Sequence, residues 1–297
     1  MALFSKPKTR DVITLAIEPT DVRLLTLRNG KVDRWLSVDL PPGLVVEGLI
    51  TNAVEMGKIL DALFTAHNLP RKQVITSLSA MRSIPRLLTL PKLQASLMEE
   101  AISREARKEM PVSLESLYLA WQSMPGVGDQ QRIYVVGVPR EMIEAQVRAL
   151  QAAGIPPFVM DLKPLALIRA IGQPEAIIVC LEDGLLDIVI VIDYLPAIMR
   201  TFSFEKEGLD ALGQLERLLE ELTQTVRFYN DSHREAMLQP STSVYLAGRS
   251  LNTREAWDYL KATIDRPVER AVAPFPCPEE LPEMEFMTNF GLALKKV

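Results

Sequence analysis

The sequence is short of most of the residues that announce chemistry. Its 297 residues include two cysteines and two histidines. Cys180 sits in an apolar run and Cys277 in a proline-rich stretch, so they give neither a disulfide framework nor ligand spacing, and a reducing cytoplasm is expected. His67 and His233 fall at the ends of helical patterns, far apart in sequence, which suits capping or surface roles better than catalysis. Basic residues are not in excess: 33 Lys and Arg stand against 38 Asp and Glu, a net charge of -5, which excludes a broad nucleic-acid footprint. No stretch reaches the ~18 consecutive apolar residues of a membrane span, because Asp187 and Asp193 interrupt the longest run. The opening MALFSKPKTRD has too short an apolar part for a signal peptide, and with Lys6, Lys8 and Arg10 it reads as a short solvated basic tail. A G-x-S-x-G elbow and a P-loop are both missing, and Ser79 and Ser83 have no nucleophile setting.

What is present is an ordinary globular balance, 48% hydrophobic and 24% charged, over a length that allows two or three domains with real cores. Two stretches share one plan. Val12 to Ile17, a turn at Glu18-Pro19-Thr20-Asp21, Val22 to Leu27, a turn at Arg28-Asn29-Gly30, and Lys31 to Leu40 read as a three-strand meander. Ala176 to Leu181, the turn Glu182-Asp183-Gly184, Leu185 to Asp193, and Ile198 to Lys206 read as a second one. Each meander is followed by a helical pattern: Ala53 to Leu69 after the first, and Leu209 to Ser232, with Leu212, Leu215, Leu218, Leu219, Leu222, Val226 and Tyr229 along one side, after the second. Two such units argue for a duplicated core with a ligand-sized cleft between the copies.

Between the meanders the pattern changes. Gln73 to Leu78 is a strand expected to join the first sheet. Met81 to Leu90 is a strand-like run broken by Pro85, and Ser96-Leu97-Met98-Glu99 has the capping-box form that opens a helix to about Met110. Ser116 to Ser123 and Arg132 to Val138 are strands around a turn at Pro125 to Asp129, and Glu141 to Ala153 is a helix ended by Gly154. With a closing strand, this order makes an inserted α+β unit. Tyr118 and Trp121 within it are expected to pack in its core. Farther on come a helix at Leu165 to Ile171, a strand at Ser243 to Ala247, a helix capped by Asn252 with Glu255, and a closing helix at Glu283 to Lys296.

These segments resemble an actin-like ATPase of the FtsA and PilM branch, with the PilM-type pilus assembly family the nearest in words and spacing. The resemblance rests on Leu40-Pro41-Pro42-Gly43, Leu88 to Pro91, the run from Glu100 to Gln122, and Val135 to Glu141, in order along the whole chain. It implies an α/β fold of duplicated actin-like, ribonuclease H-like lobes with an inserted small α+β subdomain. The first lobe would take residues 1–78, 163–175 and 283–297, the inserted subdomain 79–162, and the second lobe 176–282. Against the family pattern, the first phosphate turn has Ala16 at the Asp position and Glu18 at the glycine. The second has Cys180 and Glu182 there, with Gly184 two residues on, and the adenosine-side turn reads Ala247-Gly248-Arg249-Ser250. ATP and magnesium are the family's ligands; with Glu18, Pro19, Thr20, Glu182, Asp183, Gly184, Gly248, Arg249 and Ser250 forming degenerate turns, no cofactor and no resident metal are expected here.

The acids sharpen this. Glu18, Asp21, Glu182 and Asp183 would bring like charge to the place of a triphosphate, without a lysine clamp. They read either as a divalent-cation site or, more simply, as solvated β-turns that hold no ligand. The resulting expectation is a cytoplasmic scaffold and not an enzyme. In the family, the groove between the first lobe and the inserted unit takes up the amino-terminal peptide of the membrane protein PilN. Carried over, this implicates Ser83, Arg86, Leu88, Leu97, Ala101 and Ile102 and an inner-membrane association through that partner, with a pilus motor ATPase as a further contact. Direct membrane insertion is not expected. The alternative is a working ATPase or kinase-like enzyme of the actin superfamily, with ATP and magnesium in the cleft.

Overall fold

A computed structural model describes residues 11–124, 126, 128–204 and 207–296. The basic tail at Lys6, Lys8 and Arg10, part of the Pro125–Asp129 turn, and the Lys206 end of the second meander lie outside the described residues. The chain divides into two compact units, residues 1–81 with 147–297, and residues 82–146.

The larger unit is built twice over. Strands β1 (Val12–Ile17), β2 (Asp21–Arg28) and β3 (Lys31–Asp39) form the first meander. After a two-residue hairpin, β4 (Val45–Val46) and β5 (Leu49–Ile50), come α1 (Ala53–Ala66) and β6 (Val74–Leu78), which pairs parallel to β1. The second meander holds three long strands that, numbered in chain order after the intervening elements given below, are β11 (Glu175–Glu182), β12 (Leu185–Ile192) and β13 (Leu195–Ser203). It leads through α5 (Ala211–Ser232) to β14 (Val244–Ala247), α6 (Arg254–Thr263) and β15 (Val268–Arg270). The strand β10 (Val159–Leu162) completes the first sheet as β15 completes the second. The orders are therefore β10-β6-β1-β2-β3 and β15-β14-β11-β12-β13, with the same parallel and antiparallel pairings. The expectation that a closing strand near residue 160 belongs to the inserted unit is corrected by this pairing: Met160 lies opposite Thr76.

The alternation of side chains explains why the central strand β11 is apolar from Ala176 to Leu181. On β11, Ile177, Val179 and Leu181 face a core with Leu215, Leu218 and Leu222 of α5 and Leu260 of α6. Ala176, Ile178 and Cys180 point the other way, into a core shared with Leu25 and Leu27 of the first sheet, with α4 (Lys163–Ile171) and with the closing helix α7 (Met287–Ala293). Burial on both faces is what a continuous β-branched run encodes. The two helices in that shared core approach very closely: a Cβ added at Gly291 of α7 would lie 1.8 Å from the Ala166 carbonyl oxygen of α4. Asn289 anchors α7 to the first sheet, its amide donating to Thr14 O, Thr14 Oγ1 and Arg23 O at 3.3, 3.2 and 3.0 Å.

The smaller unit contains β7 (Ile84–Pro91), α2 (Ala95–Glu109), β8 (Leu117–Met124), β9 (Gln130–Pro139) and the start of α3 (Arg140–Ala152). Its antiparallel sheet runs β7-β9-β8, and Leu88, Leu90, Leu117, Ile133 and Val135 pack against Met98, Ala101, Ile102 and Ala106 of α2. Pro85 fits because β7 is an edge strand of this sheet, where a missing N–H breaks no ladder on the outer side.

Three helix starts differ from the sequence expectation. Gln94, not Ser96, caps α2, without a side-chain bond, and the Leu97 N–H is already held by Gln94 O at 3.0 Å. Thr253 caps α6, its hydroxyl accepting from Ala256 N at 3.1 Å, while the Asn252 amide donates to Glu285 Oε1. The closing helix begins at Met287, because Glu283 is engaged with Ala273 N and Cys277 Sγ in the turn before it. The expected core placement of Tyr118 and Trp121 is also corrected: they are 39% and 44% exposed, with the Arg140 guanidinium 4.0 Å from the Tyr118 ring.

Candidate functional site

The turns singled out in the sequence converge within the larger unit, and buried charge joins them. The β1–β2 turn carries Glu18, Pro19 and Thr20, and Asp21 opens β2. The β11–β12 turn follows Glu182 with Asp183 at φ 40° and Gly184 at φ 85°. Two successive positive-φ residues are the signature of a tight type I′ hairpin, so Gly184 serves strand reversal. Gly248 ends β14 at φ 97°, where an added Cβ would sit 2.3 Å from Leu181 O.

Side chains stitch these turns together. The Thr20 hydroxyl donates to Asp183 Oδ2, and the Asp183 N–H donates to Ser250 Oγ at 3.0 Å. At the centre is Arg23 of β2, fully buried. Its Nε donates to Asp21 Oδ2 at 2.7 Å and Nη2 to Asp21 Oδ1 at 3.1 Å. Nη1 and Nη2 donate to the two Glu182 oxygens at 2.6 and 2.7 Å, and Nη1 also to Glu285 O at 2.6 Å. All five guanidinium donors are thereby used. Asp21 accepts further bonds from Ser37 Oγ at 2.7 Å and from Arg249 Nη2 at 2.9 Å, and Glu182 accepts one from the Arg249 backbone N–H at 3.1 Å. Arg249 also donates from Nε to Glu285 Oε2 at 3.2 Å.

A second buried group lies beside the first. Lys163, the first residue of α4, donates from Nζ to Glu18 Oε2 at 2.8 Å and lies 3.4 Å from Asp187 Oδ2. Asp187 Oδ1 accepts from Thr201 Oγ1 at 2.6 Å. Glu18 Oε1 is buried without a hydrogen-bond partner. Burial pushes the Glu18 carboxyl up to about 7, with Lys163 pulling it down and Glu182 pushing it up. Burial works to lower the Lys163 pKa, but the negative groups around it, Glu18 and Asp187 among them, hold it above the ordinary lysine value. Burial likewise pushes the Cys180 thiol up.

The structure thus corrects the expectation of solvated turns: Glu18, Asp21 and Glu182 are each 2% exposed or less. It also corrects the expectation of carboxylates without a cationic clamp, since Arg23 and Lys163 supply one from inside. Sequence reasoning missed both. The available signal was a lone cation in an otherwise apolar strand (Val22-Arg23-Leu24-Leu25) and a lysine opening an apolar helix. The divalent-cation reading finds no support in the donor set: among the described residues no group of three or more His, Cys, Asp or Glu is arranged to hold a metal ion. His67 and His233 are helix C-caps, and His233 stacks on Tyr229 at 4.3 Å.

In the smaller unit, Leu88, Ala101 and Ile102 are core residues, 4%, 9% and 1% exposed, so they are corrected as groove walls. Leu97 is half exposed, and Arg86 Nε donates to Glu109 O at 3.0 Å. The Ser83 hydroxyl is buried without a partner. An open, polar depression of about 400 Å³ lies between α2 and β8, bordered by Glu99, Ser103, Arg107, Glu115, Leu119 and Arg140. No helix among the described residues is long and apolar enough to cross a membrane.

Comparison with known proteins agrees with this architecture. A PilM–PilN type IV pilus biogenesis complex contains a chain that superposes with a TM-score of 0.77 at 22% identity, over 96% of this chain and 98% of that one. The ethanolamine utilization protein EutJ from Carboxydothermus hydrogenoformans follows at TM-score 0.57 and 12% identity, over 98% and 91%. The cytoplasmic domain of EpsL, an inner-membrane component of the Vibrio cholerae type II secretion system, gives 0.54 and 14%, over 97% of each. No curated protein matches by sequence. The fold is that of the actin-like proteins, and the family model for the type IV pilus assembly protein PilM matches residues 14–204. The chain belongs to the PilM family of type IV pilus assembly proteins.

Proposed function

We propose that this chain is a scaffold of the pilus assembly machine without nucleotide turnover. It works on the cytoplasmic side, peripheral to the inner membrane, and captures the amino-terminal peptide of a PilN-like membrane protein. A pilus motor ATPase is a further contact. The observation that carries the scaffold reading is Arg23, whose five donors are all taken by Asp21, Glu182 and Glu285 where the turns meet. A triphosphate with magnesium needs glycine-lined turns with free N–H groups and an acid for the hydrated metal. Here the turns present Glu18 and Glu182, and Ala16 and Cys180 stand behind them, so the residues do not fit the nucleotide. The PilN-like partner is supported by the relative seen in complex with PilN.

Thermal denaturation with millimolar ATP and magnesium tests the first part. No shift is expected. A native site filled at ~100 times its dissociation constant would add about 2.7 kcal/mol, a rise of several degrees that would overturn the reading. For the partner, β7 offers an outer edge and Leu97 an exposed apolar residue beside it, a surface on which an extended peptide gains main-chain bonds and side-chain anchors. Leu97→Asp should weaken binding of a synthetic partner peptide about tenfold or more, the effect of losing one apolar anchor. Unchanged affinity in the folded variant removes this surface.

A further inference from the structure

The buried joint between the two meanders holds more negative charge than it can match. Four carboxylates, Glu18, Asp21, Glu182 and Asp187, face two equally buried cations, Arg23 and Lys163. Arg249 is the third cation there among the described residues, but its side chain is 31% exposed and it is shared with Glu285 at the rim. Two carboxylate oxygens, Glu18 Oε1 and Asp187 Oδ2, have no hydrogen-bond partner. They belong to the two groups that flank one ammonium: Lys163 Nζ is 2.8 Å from Glu18 Oε2 and 3.4 Å from Asp187 Oδ2. An ionised carboxylate kept from water with an oxygen unpaired is costly, and a neutral one is much less so.

Among the four carboxylates, Glu18 is the one placed to yield. Asp21 and Glu182 each take two bonds from the Arg23 guanidinium. Asp187 lies within β12, paired with Cys180 of β11 on one side and Thr201 of β13 on the other, and its Oδ1 accepts from Thr201 Oγ1. The Glu18 side chain has one bond, from Lys163, and it stands in the short β1–β2 turn, which the Thr20 hydroxyl ties to Asp183 of the second meander. Around it are Lys163 of α4, Asp187 of β12, Cys180 and Glu182 of β11, and Arg23 and Asp21 of β2, with Arg249 reaching Asp21 and Glu182 from the end of β14. The turn can move without breaking a strand pairing; Asp187 and Glu182 cannot.

We infer that the Glu18 turn is a proton-operated latch between the two meanders: with Glu18 neutral it closes over Lys163 and Asp187, and with Glu18 ionised it lifts so that the carboxylate reaches water. A proton on Glu18 removes one of the unmatched negative charges and leaves Lys163 to Asp187. Releasing that proton inside the closed joint restores the excess, and lifting the turn relieves it. The direction with pH follows from the burial that holds the closed carboxyl at about 7 against 4.5 in water: over that range the closed form keeps a proton that the lifted form gives up, so rising pH favours the lifted form. The fully bonded Arg23–Glu182 pair stays in place, which keeps the opening local. Cys180 lies in the cluster that the turn covers.

That thiol is the reporter. In the full chain carrying Cys277→Ser, Cys180 is the remaining cysteine, and its rate of reaction with a dipyridyl disulfide is divided, at each pH, by the rate in the same chain unfolded in urea, which cancels the ionisation of the thiol itself. The ratio should rise about tenfold per pH unit between 4.5 and 7 and level off above, the response to one proton released on opening. With Glu18→Gln added, the ratio should be flat; Glu18→Met serves in its place if circular dichroism shows that the glutamine variant does not fold. Hydrogen exchange of the native chain, corrected for the intrinsic rate, separates a local opening from unfolding. The amides of Asp183 and Arg249, which donate to Ser250 and Glu182, should lose protection as pH rises through this range, while α5 keeps its own. A ratio independent of pH, an equal rise in the folded Glu18 variant, or α5 losing protection in step with the turn amides each overturns the inference.

Discussion

The Arg23 guanidinium and the Glu182 carboxylate, 159 residues apart in sequence, form two side-by-side N–H···O bonds of 2.6 and 2.7 Å. The bidentate geometry ties β2 of one meander to the end of β11 of the other, and neither group has access to water. This pair, with Lys163 and Glu18 beside it, makes the convergence of the turns a closed structural joint.

Removing one partner should therefore be costly. Arg23→Ala is expected to destabilise the larger unit by ~3–5 kcal/mol, because Asp21 and Glu182 stay buried after losing the cation that faces them both. Replacing Arg23 and Glu182 together by apolar residues of similar volume should recover a large part of that loss. Urea denaturation of the two single variants and the double variant measures the coupling.

Glu18 gives a pH dependence whose sign follows from its raised pKa. The folded protein holds this proton up to about 7, whereas the ordinary glutamate value is 4.5, so the contribution to stability is full below 4.5 and is lost as pH rises through 7. Between those values the native state binds more protons than the unfolded chain. The difference in unfolding free energy between the native protein and Glu18→Gln should thus change across pH 4.5 to 7 and flatten outside it. A difference that is constant with pH would show that Glu18 titrates as an ordinary carboxyl.

Gly248 should tolerate no side chain. At φ 97°, with Leu181 O 2.3 Å from the position of a Cβ, Gly248→Ala requires the β14 turn or the end of β11 to move. A loss of ~2 kcal/mol or more is expected from backbone strain and overlap together, read from the denaturation midpoint.

In the smaller unit, two neighbours on α2 should behave oppositely. Ile102→Ala should cost ~2–5 kcal/mol as a cavity in a closed core, while Leu97→Ala should stay within about 0.5 kcal/mol. Hydrogen exchange of residues 82–146 in each variant separates the two.

The strands of both meanders, and the helices between them, were legible because their periodicity is local: β-branched runs bounded by Asn-Gly and Asp-Gly turns specify hairpins wherever they occur. The charged joint was not. Glu18 and Lys163 are 145 residues apart, and a carboxylate in a turn gives no sign that it will be buried until the element supplying its cation has been placed. Cap positions failed for a related reason. Ser96 and Asn252 have the right side chains, but α2 has already begun at Ala95, and the Asn252 side chain is turned to Glu285 while Thr253 caps α6. Ala101 and Ile102 read correctly as the apolar stripe of a helix; spacing alone does not say whether such a stripe faces its own sheet or a partner.

The contact between Asn289 and Thr14 bears on the order in which the chain can fold. These residues are 275 positions apart, and the amide of Asn289 satisfies Thr14 and the Arg23 carbonyl inside the first sheet. Gly291 lies against Ala166 in the same region. On a ribosome, the first meander would emerge long before the helix that covers it, so β1 and β2 must wait with one face open until residues 287–293 are made. Contacts of such long sequence separation are slow to form, and an uncovered sheet is prone to wrong pairing in the interval. The second meander also turns Ala176, Ile178 and Cys180 toward α7, but it is made much nearer to that helix along the chain, so the strands synthesised first carry the longer delay.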